Sequence, residues 1–194
     1  MTELAAAVAR VEKALRSRPD LFEILAVSSE PKVEPEVIAD VERAIGFALP
    51  EALRTHYLEV GATIELQWSL RPGAFRALGY ALGTHDDDED QTNEDGYGQA
   101  PSGFFRLVPP SRLARRLEHG VVQVFANDAA GDGYALECAD RSVVWFDHDT
   151  PRAPRRKRFE SLSACMDALL HRGFATGGDF EGIQAFLAPL LASP

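Results

Sequence analysis

The stretch QVFANDAAGDGYALECADRSVVWFDHD, residues 123–149, decides how this chain is expected to fold. Apolar runs alternate in it with short polar segments. NDAAGDG and ADRS are built from residues that favour turns, because they tolerate a left-handed backbone or cap their own amides. The pattern predicts strands over 121–126, 133–138 and 142–147, joined as antiparallel neighbours.

The same stretch contains five aspartates, one glutamate and one histidine, which raises the question of a metal or catalytic site. Asp147, His148 and Asp149 follow one another, and adjacent side chains of an extended chain point to opposite faces. They cannot converge on a metal without a turn, so a metal site is not favoured there. NDAAGDG is interpreted as a loop that closes an antiparallel pair. A metal-dependent hydrolase using Asp128, Asp132, Asp147 and His148 is kept as the third of three functional hypotheses.

The segments around this stretch predict an α+β fold. Apolar residues recur on one face of several segments, which indicates helices, and alternate over 64–70, which indicates a half-buried strand. Residues 28–35 are interpreted as a linker and 104–108 as a strand. Thr2 is the predicted cap of the first helix. The predicted helices span 3–17, 36–45, 50–60, a short segment within 109–120, 161–172 and 179–191. Helices, then an antiparallel meander, then helices is an α+β order.

An acidic segment, THDDDEDQTNEDGYGQAPSG at 84–103, interrupts these elements. An EF-hand loop needs Gly at its sixth position and Glu at its twelfth. Counted from Asp86, the sixth and twelfth positions are Gln91 and Tyr97. Counted from Gln91, the loop begins on a neutral residue and its twelfth position is Ser102. Neither register fits an EF-hand loop. We therefore expect a solvated loop, whose acids are candidate partner-binding residues. They are Asp86, Asp87, Asp88, Glu89, Asp90, Glu94 and Asp95.

Composition narrows the function. The 194 residues are 45% hydrophobic, enough for one domain with a substantial core, and the net charge of −10 argues against a nucleic-acid binder and favours a basic partner. Cys138 and Cys165 make no disulfide framework. No apolar run approaches the roughly 18 residues of a membrane span, and the charged N-terminus lacks the apolar centre of a signal peptide. We expect a cytoplasmic protein with no membrane contact.

No catalytic pattern stands out in the chain. Its serines lack the glycine-flanked setting of a nucleophile elbow. No phosphate-cradling glycine-rich loop precedes a helix, since GDGYAL runs into a strand pattern. The sequence therefore predicts a protein that is not an enzyme, with no cofactor and no catalytic or metal-binding residues.

Three segments taken together resemble the SMI1/KNR4 family, also called the SUKH superfamily. VIADVERAIGFALPEALRTHYLEVGA, 37–62, is similar to the family's two helices joined by an LG-x-x-LP step. VFANDAAGDGYALECADRSVVWFDHDT, 124–150, is similar to its strands with N-x-x-GD-x-Y-x-LD and V-x-x-x-DHE, and FESLSACMDALL, 159–170, to its closing helix. The matching positions include Gly46, Leu49, Pro50, Asn127, Gly131, Asp132, Tyr134, Asp147 and His148.

The resemblance implies a fold and a division of the chain. It implies a mixed, mostly antiparallel sheet flanked by helices. Residues 31–174 would form the family domain with the acidic loop 84–103, after an N-terminal helical extension at 1–30. Residues 175–194 would form a C-terminal helix packing on the same domain. The matching positions would be structural.

The resemblance also implies a non-enzymatic, protein-binding role. Many bacterial members are immunity proteins that neutralise toxins delivered between cells, often nucleases, and eukaryotic members are regulatory scaffolds. A nuclease is commonly basic where it binds phosphate, which suits an acidic blocker. The first hypothesis is therefore an immunity protein whose partner is a basic toxin domain, and the second is a regulatory scaffold that binds a cellular partner.

Overall fold

The computed structural model describes residues 2–71, 74, 102–113, 120–127, 132–147, 149–150, 157–176, 187–189 and 191. Within them the chain has the α+β architecture that the order of sequence patterns predicts. The elements are α1 (Glu3–Arg16), β1 (Phe22–Glu30), α2 (Pro35–Ile45), α3 (Glu51–Glu59), β2 (Thr63–Leu70), β3 (Ser102–Leu107), α4 (Pro110–Leu113), β4 (Val121–Ala126), β5 (Gly133–Glu137), β6 (Val143–Phe146), β7 (Lys157–Phe159), α5 (Leu162–His171) and β8 (Ala175–Thr176).

Local chemistry explains where the helices begin and end. Thr2 caps α1, because its Oγ1 accepts a hydrogen bond from the amide of Ala5 at 3.3 Å. Pro35 is the first residue of α2, where its missing N–H costs nothing. Gly46 ends α2 with a φ of 80°, a left-handed conformation that favours glycine. Ser161 caps α5 through its Oγ, which accepts from the amide of Ala164.

The sheet is a meander in the order β1-β2-β3-β4-β5-β6-β7, with β8 beside β3. Every pairing between described strands is antiparallel, so they give no sign of the parallel component in the predicted mixed sheet. The three strands predicted around the NDAAGDG and ADRS turns are confirmed as β4, β5 and β6.

Strand β3 changes partners along its length. Its first residues pair with β8, where Gly103 faces Ala175, and its last residues pair with β4, where Leu107 faces Phe125. Trp68 of β2 lies opposite Gly103, near the point where β3 changes partners. Its Nε1 donates to the carbonyl oxygen of Gly173 at 2.8 Å. The indole lies across Gly103, where a Cβ atom would overlap the ring. Glycine is therefore required there by close approach rather than by backbone conformation.

The core lies between the helices and one face of the sheet. Helices α1, α2, α3 and α5 all contribute to it, and its largest fully buried side chains include Trp68, Tyr57, Phe105, Phe125 and Phe174. A second buried cluster lies on the opposite face of β4–β6, as the alternation of side chains along a strand requires. It consists of Val121, Ala135, Val144 and Phe146.

The two ends of the sheet thus differ in burial. Strands β4–β6 are buried on both faces, whereas β1 is an edge strand with most of its residues exposed. Among the described strands β1 pairs with β2 alone. A β-bulge at Leu25 interrupts the register between Ile24 and Ala26.

Several sequence predictions need correction. The expected helical extension over 1–30 is helical only to Arg16, and its residues 22–30 form β1, which includes the first three residues of the predicted linker 28–35. Residues 157–159 form β7, where no strand was predicted. Ser102 and Gly103, placed in the acidic loop, belong to β3.

The C-terminal prediction is described only in part. Ala175 and Thr176, assigned to a C-terminal helix at 175–194, form the short strand β8. Residues 187–189 are helical, and Leu187 and Leu191 are buried in the main core. The rest of that helix, and residues 114–119 of the helix predicted within 109–120, lie outside the described residues.

Candidate functional site

The NDAAGDG segment closes the β4–β5 pair. Ala126 faces Gly133 in the register, and the amide of Asn127 donates to the carbonyl oxygen of Asp132 at 2.7 Å. Gly133 is needed because a Cβ there would overlap the carbonyl oxygen of Phe125. The predicted turn role of Asn127 and Asp132 therefore has a geometric basis, while Gly131 and Asp128 lie outside the described residues.

Tyr134, the next residue of the family motif, is a packing residue. Its ring lies edge-on to Trp145 at 5.1 Å and tilted against Phe159 at 5.8 Å. Burial raises the pKa of its hydroxyl above the usual value, with a further contribution from Cys165. The residue holds β5 against β6 and β7.

Asp147 forms a turn at the end of β6. Its Oδ1 accepts from the amides of Asp149 and Thr150 at 2.8 and 3.1 Å, and its Oδ2 accepts from the Thr150 hydroxyl at 2.8 Å. Both carboxylate oxygens are thus used in a local turn, as expected for an aspartate that caps its own backbone. His148, the proposed neighbour in a metal site, lies outside the described residues.

Local hydrogen bonds hold the corner between α2 and α3, where Gly46, Leu49 and Pro50 lie. Gly46 donates its N–H to the carbonyl oxygen of Glu42 at 2.9 Å, and the amide of Leu49 donates to the Glu42 carboxylate at 2.9 Å. Leu49 is buried in the core. The carbonyl oxygen of Pro50 accepts from the amide of Leu53 at 2.9 Å and so starts α3.

His56 is the one described imidazole that the fold buries. Its Nδ1 lies 3.1 Å from the Thr2 hydroxyl, and its Nε2 has no hydrogen-bond partner in the part of the chain that the structure describes. Burial lowers its pKa to about 4, so it is neutral at pH 7. The Thr2–His56 contact ties α1 to α3.

The described residues do not assemble a catalytic constellation. Within them, no group of three or more His, Cys, Asp or Glu side chains could hold a metal ion. Burial raises the pKa of the Cys165 thiol to about 12, so it stays protonated at neutral pH and is a poor nucleophile. No described helix is long and apolar enough to cross a membrane.

Two concavities lined by described residues are small. A groove lined by Arg10, Leu170, His171, Ala188 and Leu191 encloses about 220 Å³. Small-molecule sites usually have roughly 300–1,000 Å³. A second cavity, between α1, α3 and α5, holds about 20 Å³, space for little more than one water molecule.

The candidate partner-binding acids at 86–95 all lie outside the described residues, so their arrangement stays a prediction. A different acidic surface occurs where β1 meets α2 and the end of α3. We call it the acidic patch. It consists of the exposed side chains Glu30, Glu34, Glu36 and Glu59.

Backbone hydrogen bonds bring the segments of the acidic patch together. The amide of Ala62 donates to the carbonyl oxygens of Glu30 and Pro31 at 3.2 and 2.9 Å, and the amide of Val33 donates to that of Tyr57 at 3.0 Å. Gly61 permits this approach, because a Cβ there would overlap the Glu30 carbonyl oxygen. The loop after β1 is therefore fixed against the end of α3.

No carboxylate of the acidic patch forms an ion pair with a described cation. The ion pairs of Arg16, Arg18 and Arg43 are with acids on their own segments. Lys32 is an exposed cation within the patch, so the local charge is negative but not uniform. The patch was not predicted from the sequence, because Glu59 is distant along the chain from the other three glutamates.

Exposed apolar side chains occur on β1 and α2, two of the elements that carry the acidic patch. Leu25 and Val27 on β1 are 50% and 44% exposed, and Val37 on α2 is 38% exposed. Exposed apolar surface with a polar rim is typical of a surface that binds another protein, so this region is the candidate site.

No family model matches the chain, and no curated protein is similar to it at the level searched.

Proposed function

We propose that this protein is a non-enzymatic binding module that neutralises a basic toxin domain, the immunity-protein role implied by its resemblance to the SMI1/KNR4 family. The observation that carries the proposal is the acidic patch, whose exposed carboxylates have no cationic partner among the described residues. The Lys and Arg side chains of a basic partner would supply positive charge to these carboxylates. The apolar side chains beside the patch would supply contact area.

Charge would act mainly on the speed and selectivity of binding. The chain carries 30 acids against 20 bases. Complementary charge raises the rate of diffusional encounter, and it suppresses binding of acidic proteins. The seven acids at 86–95 would add to this attraction.

A nuclease is the class of toxin that fits best. Its phosphate-binding surface must be basic, so an acidic protein that covers it blocks the nucleic acid directly. The proposal includes a cytoplasmic location, because an incoming nuclease would have to be neutralised where its substrate lies.

Co-expression is the direct test. A basic toxin domain, sought in the reading frame beside this gene, would be produced in a heterologous bacterium, alone or with this protein, and growth and complex formation would be measured. We expect growth arrest by the toxin domain alone, rescue by the wild-type protein, and a stable complex on purification. A variant with all four patch glutamates changed to glutamine should rescue less well.

A matched control keeps the total charge change constant. Glu3, Asp40, Glu51 and Asp167 are exposed acids outside the acidic patch, and their amide variants remove the same number of charges. This control should rescue like the wild type. Failure of the wild-type protein to bind or rescue would contradict the immunity role, and recovery of a resident regulatory protein instead would favour the scaffold hypothesis.

A further inference from the structure

We propose that residues 26–30, which we call the distal segment of β1, bind an extended basic segment of another protein as an added strand of the sheet. Lysine or arginine side chains of that segment would lie on the outer face of the sheet, and the apolar side chains between them on the core face. The proposal rests on the proposed function only for the origin of the basic segment, the toxin domain. The binding mode itself can be tested without that domain.

The distal segment is an open edge of the sheet. Strand β1 is the terminal strand, so one row of its backbone N–H and C=O groups faces away from β2. Every residue from Val27 to Glu30 is exposed, and Ala26 is half-buried. Proteins commonly protect such edges with proline or lysine, and β1 contains neither. An exposed edge of this kind pairs readily with an extended chain.

The bulge at Leu25 limits where a strand can be added. Before it the even-numbered residues of β1 oppose core residues of β2, and after it the odd-numbered residues do. Side chains of a regular added strand alternate with period two, so they can match the faces of β1 on one side of the bulge only. The part before the bulge is shorter, and Phe22 in it is buried. Pro31 follows the distal segment and has no N–H to continue the pairing.

The register with β2 assigns two side chains of the distal segment to the core face. Directly opposite residues of an antiparallel pair have their side chains on the same face. Val27 is opposite Leu66, which is fully buried in the main core. Ser29 is opposite Ile64, which packs against that core. Since Val27 is 44% exposed, an apolar side chain of an added strand beside it would extend the edge of the core.

The outer face of the distal segment is acidic. Ser28 is opposite Glu65, and Glu30 ends the strand on the same face. Among the described residues, neither carboxylate forms an ion pair. Arg106 of β3 is also opposite Glu65, but its guanidinium lies over the Phe104 ring, 5.5 Å from the centroid. The small side chain of Ser28 leaves Glu65 about 10 Å from an added strand, within reach of a long cationic side chain.

This charge selects the occupant of the edge. The chain carries a net charge of −10, and Glu34 of the acidic patch follows the distal segment closely. Pairing the distal segments of two copies would bring both sets of carboxylates together. Repulsion therefore disfavours a second copy, and attraction favours a basic segment.

A titration with a synthetic peptide tests the binding mode on the whole chain. The probe is a short peptide that alternates lysine and valine, and binding is followed by the amide shifts of the isotope-labelled protein. The shifts should saturate and be centred on the distal segment. A control peptide with the same residues in two blocks has the same charge but cannot place its cations on one face. It should bind at least about tenfold more weakly.

Backbone methylation separates strand addition from simple charge attraction. Successive N–H groups of a strand point to opposite edges. One form of the alternating peptide would be N-methylated at lysine amides, and the other at the same number of valine amides. One form should bind at least about tenfold more weakly than the other, because its methyl groups replace the hydrogen bonds to β1. Equal binding of the two forms would overturn the proposal.

Charge reversal tests the outer face. Glu30→Lys should weaken binding of the alternating peptide by about tenfold, because the new lysine lies beside the cations of the peptide. Asp167→Lys is the matched control, since it makes the same change of charge at an exposed position on α5. It should bind like the wild type. Circular dichroism confirms that both variants are folded, and equal weakening by both would contradict a specific edge site.

Hydrogen exchange separates this proposal from the proposed function. In the free protein, the amides of the distal segment that face away from β2 should exchange quickly, and in a complex with the toxin domain they should be protected. Slow exchange in the free protein would show an edge already covered and would overturn the proposal. So would a toxin domain that is bound and neutralised while these amides still exchange quickly, although the proposed function would then stand. Peptide binding at the distal segment without any toxin binding would contradict the proposed function alone.

Discussion

The two ends of the sheet use similar residues for different purposes. Strands β4, β5 and β6 are buried on both faces, and almost every residue in them contacts a core. Strand β1 also contains an apolar run, from Ile24 to Val27, but Leu25 and Val27 are about half exposed. The comparison shows that apolar content alone does not determine how deeply a strand is buried. The position of a strand in the sheet does.

The largest loss of stability should follow truncation of a core side chain in β4–β6, the strands buried on both faces. Phe125 of β4 is fully buried, with its ring 5.1 Å from that of Phe105. Phe125→Ala should lower the free energy of unfolding by about 3–5 kcal/mol. Denaturant unfolding followed by tryptophan fluorescence measures it. A loss below about 1 kcal/mol would mean that β4 is not the rigid centre of the fold.

Acid should weaken the packing of helix α1 against β1 and β2. Thr2 and His56 join α1 to α3, and α1 also contacts β1 and β2. Since burial lowers the pKa of His56 from 6.5 to about 4, its contribution to stability is complete above pH 6.5 and is lost as the pH falls towards 4. The loss should reach about 3 kcal/mol at most.

Unfolding measured between pH 7 and pH 4 checks this prediction, with His56→Phe as the control. The variant should lose much of the pH dependence. Hydrogen exchange should rise in α1 before it rises in β4–β6. Equal pH dependence in wild type and variant would show that His56 is not the group responsible.

The junction between the two ends should tolerate little added volume. Gly103→Ala places a methyl group against the Trp68 indole and should cost about 1–3 kcal/mol. Gly46→Ala is an informative comparison, because the added methyl there meets nothing and only the left-handed backbone opposes it. Its cost should be about 1 kcal/mol. Thermal unfolding with both variants separates the effect of overlap from that of conformation.

The smallest loss of stability should follow a change in the edge strand β1. Leu25→Ala should lower the stability of the single chain by less than about 1 kcal/mol, because half of the side chain is already in water. The measurement is denaturant unfolding at high dilution. A loss comparable to that of Phe125→Ala would remove the distinction between the two ends of the sheet.

Sequence patterns predicted strands β4–β6, which are buried on both faces, better than they predicted the edge strand β1. Strands β4–β6 were found because turn residues separate short apolar runs, and helices α1–α3 and α5 because apolar residues recur on one face. Strand β1 was missed because the bulge at Leu25 places Ile24, Leu25, Ala26 and Val27 in an unbroken apolar run, which hides the period of two.

The candidate surface could be predicted only in part. The turn roles of Asn127 and Asp132 followed from residue type, whereas the basic partner indicated by net charge stays a prediction. The acidic patch depends on contacts between the loop after β1 and the end of α3, and no local pattern in the sequence encodes those contacts. Strands β7 and β8 are three and two residues long, too short for periodicity to detect.

The most direct test of the proposed function is the rate at which the protein associates with the basic toxin domain proposed as its partner, measured by stopped flow at low and high salt. Changing the four glutamates of the acidic patch to glutamine should slow association by about tenfold or more at low salt. Asparagine at Asp86, Asp87, Asp88 and Asp90 should act in the same direction. Both differences should shrink at high salt, where screening acts over about 8 Å or less. An association rate at low salt that neither variant changes would contradict the claim that acidic surface draws in a basic partner.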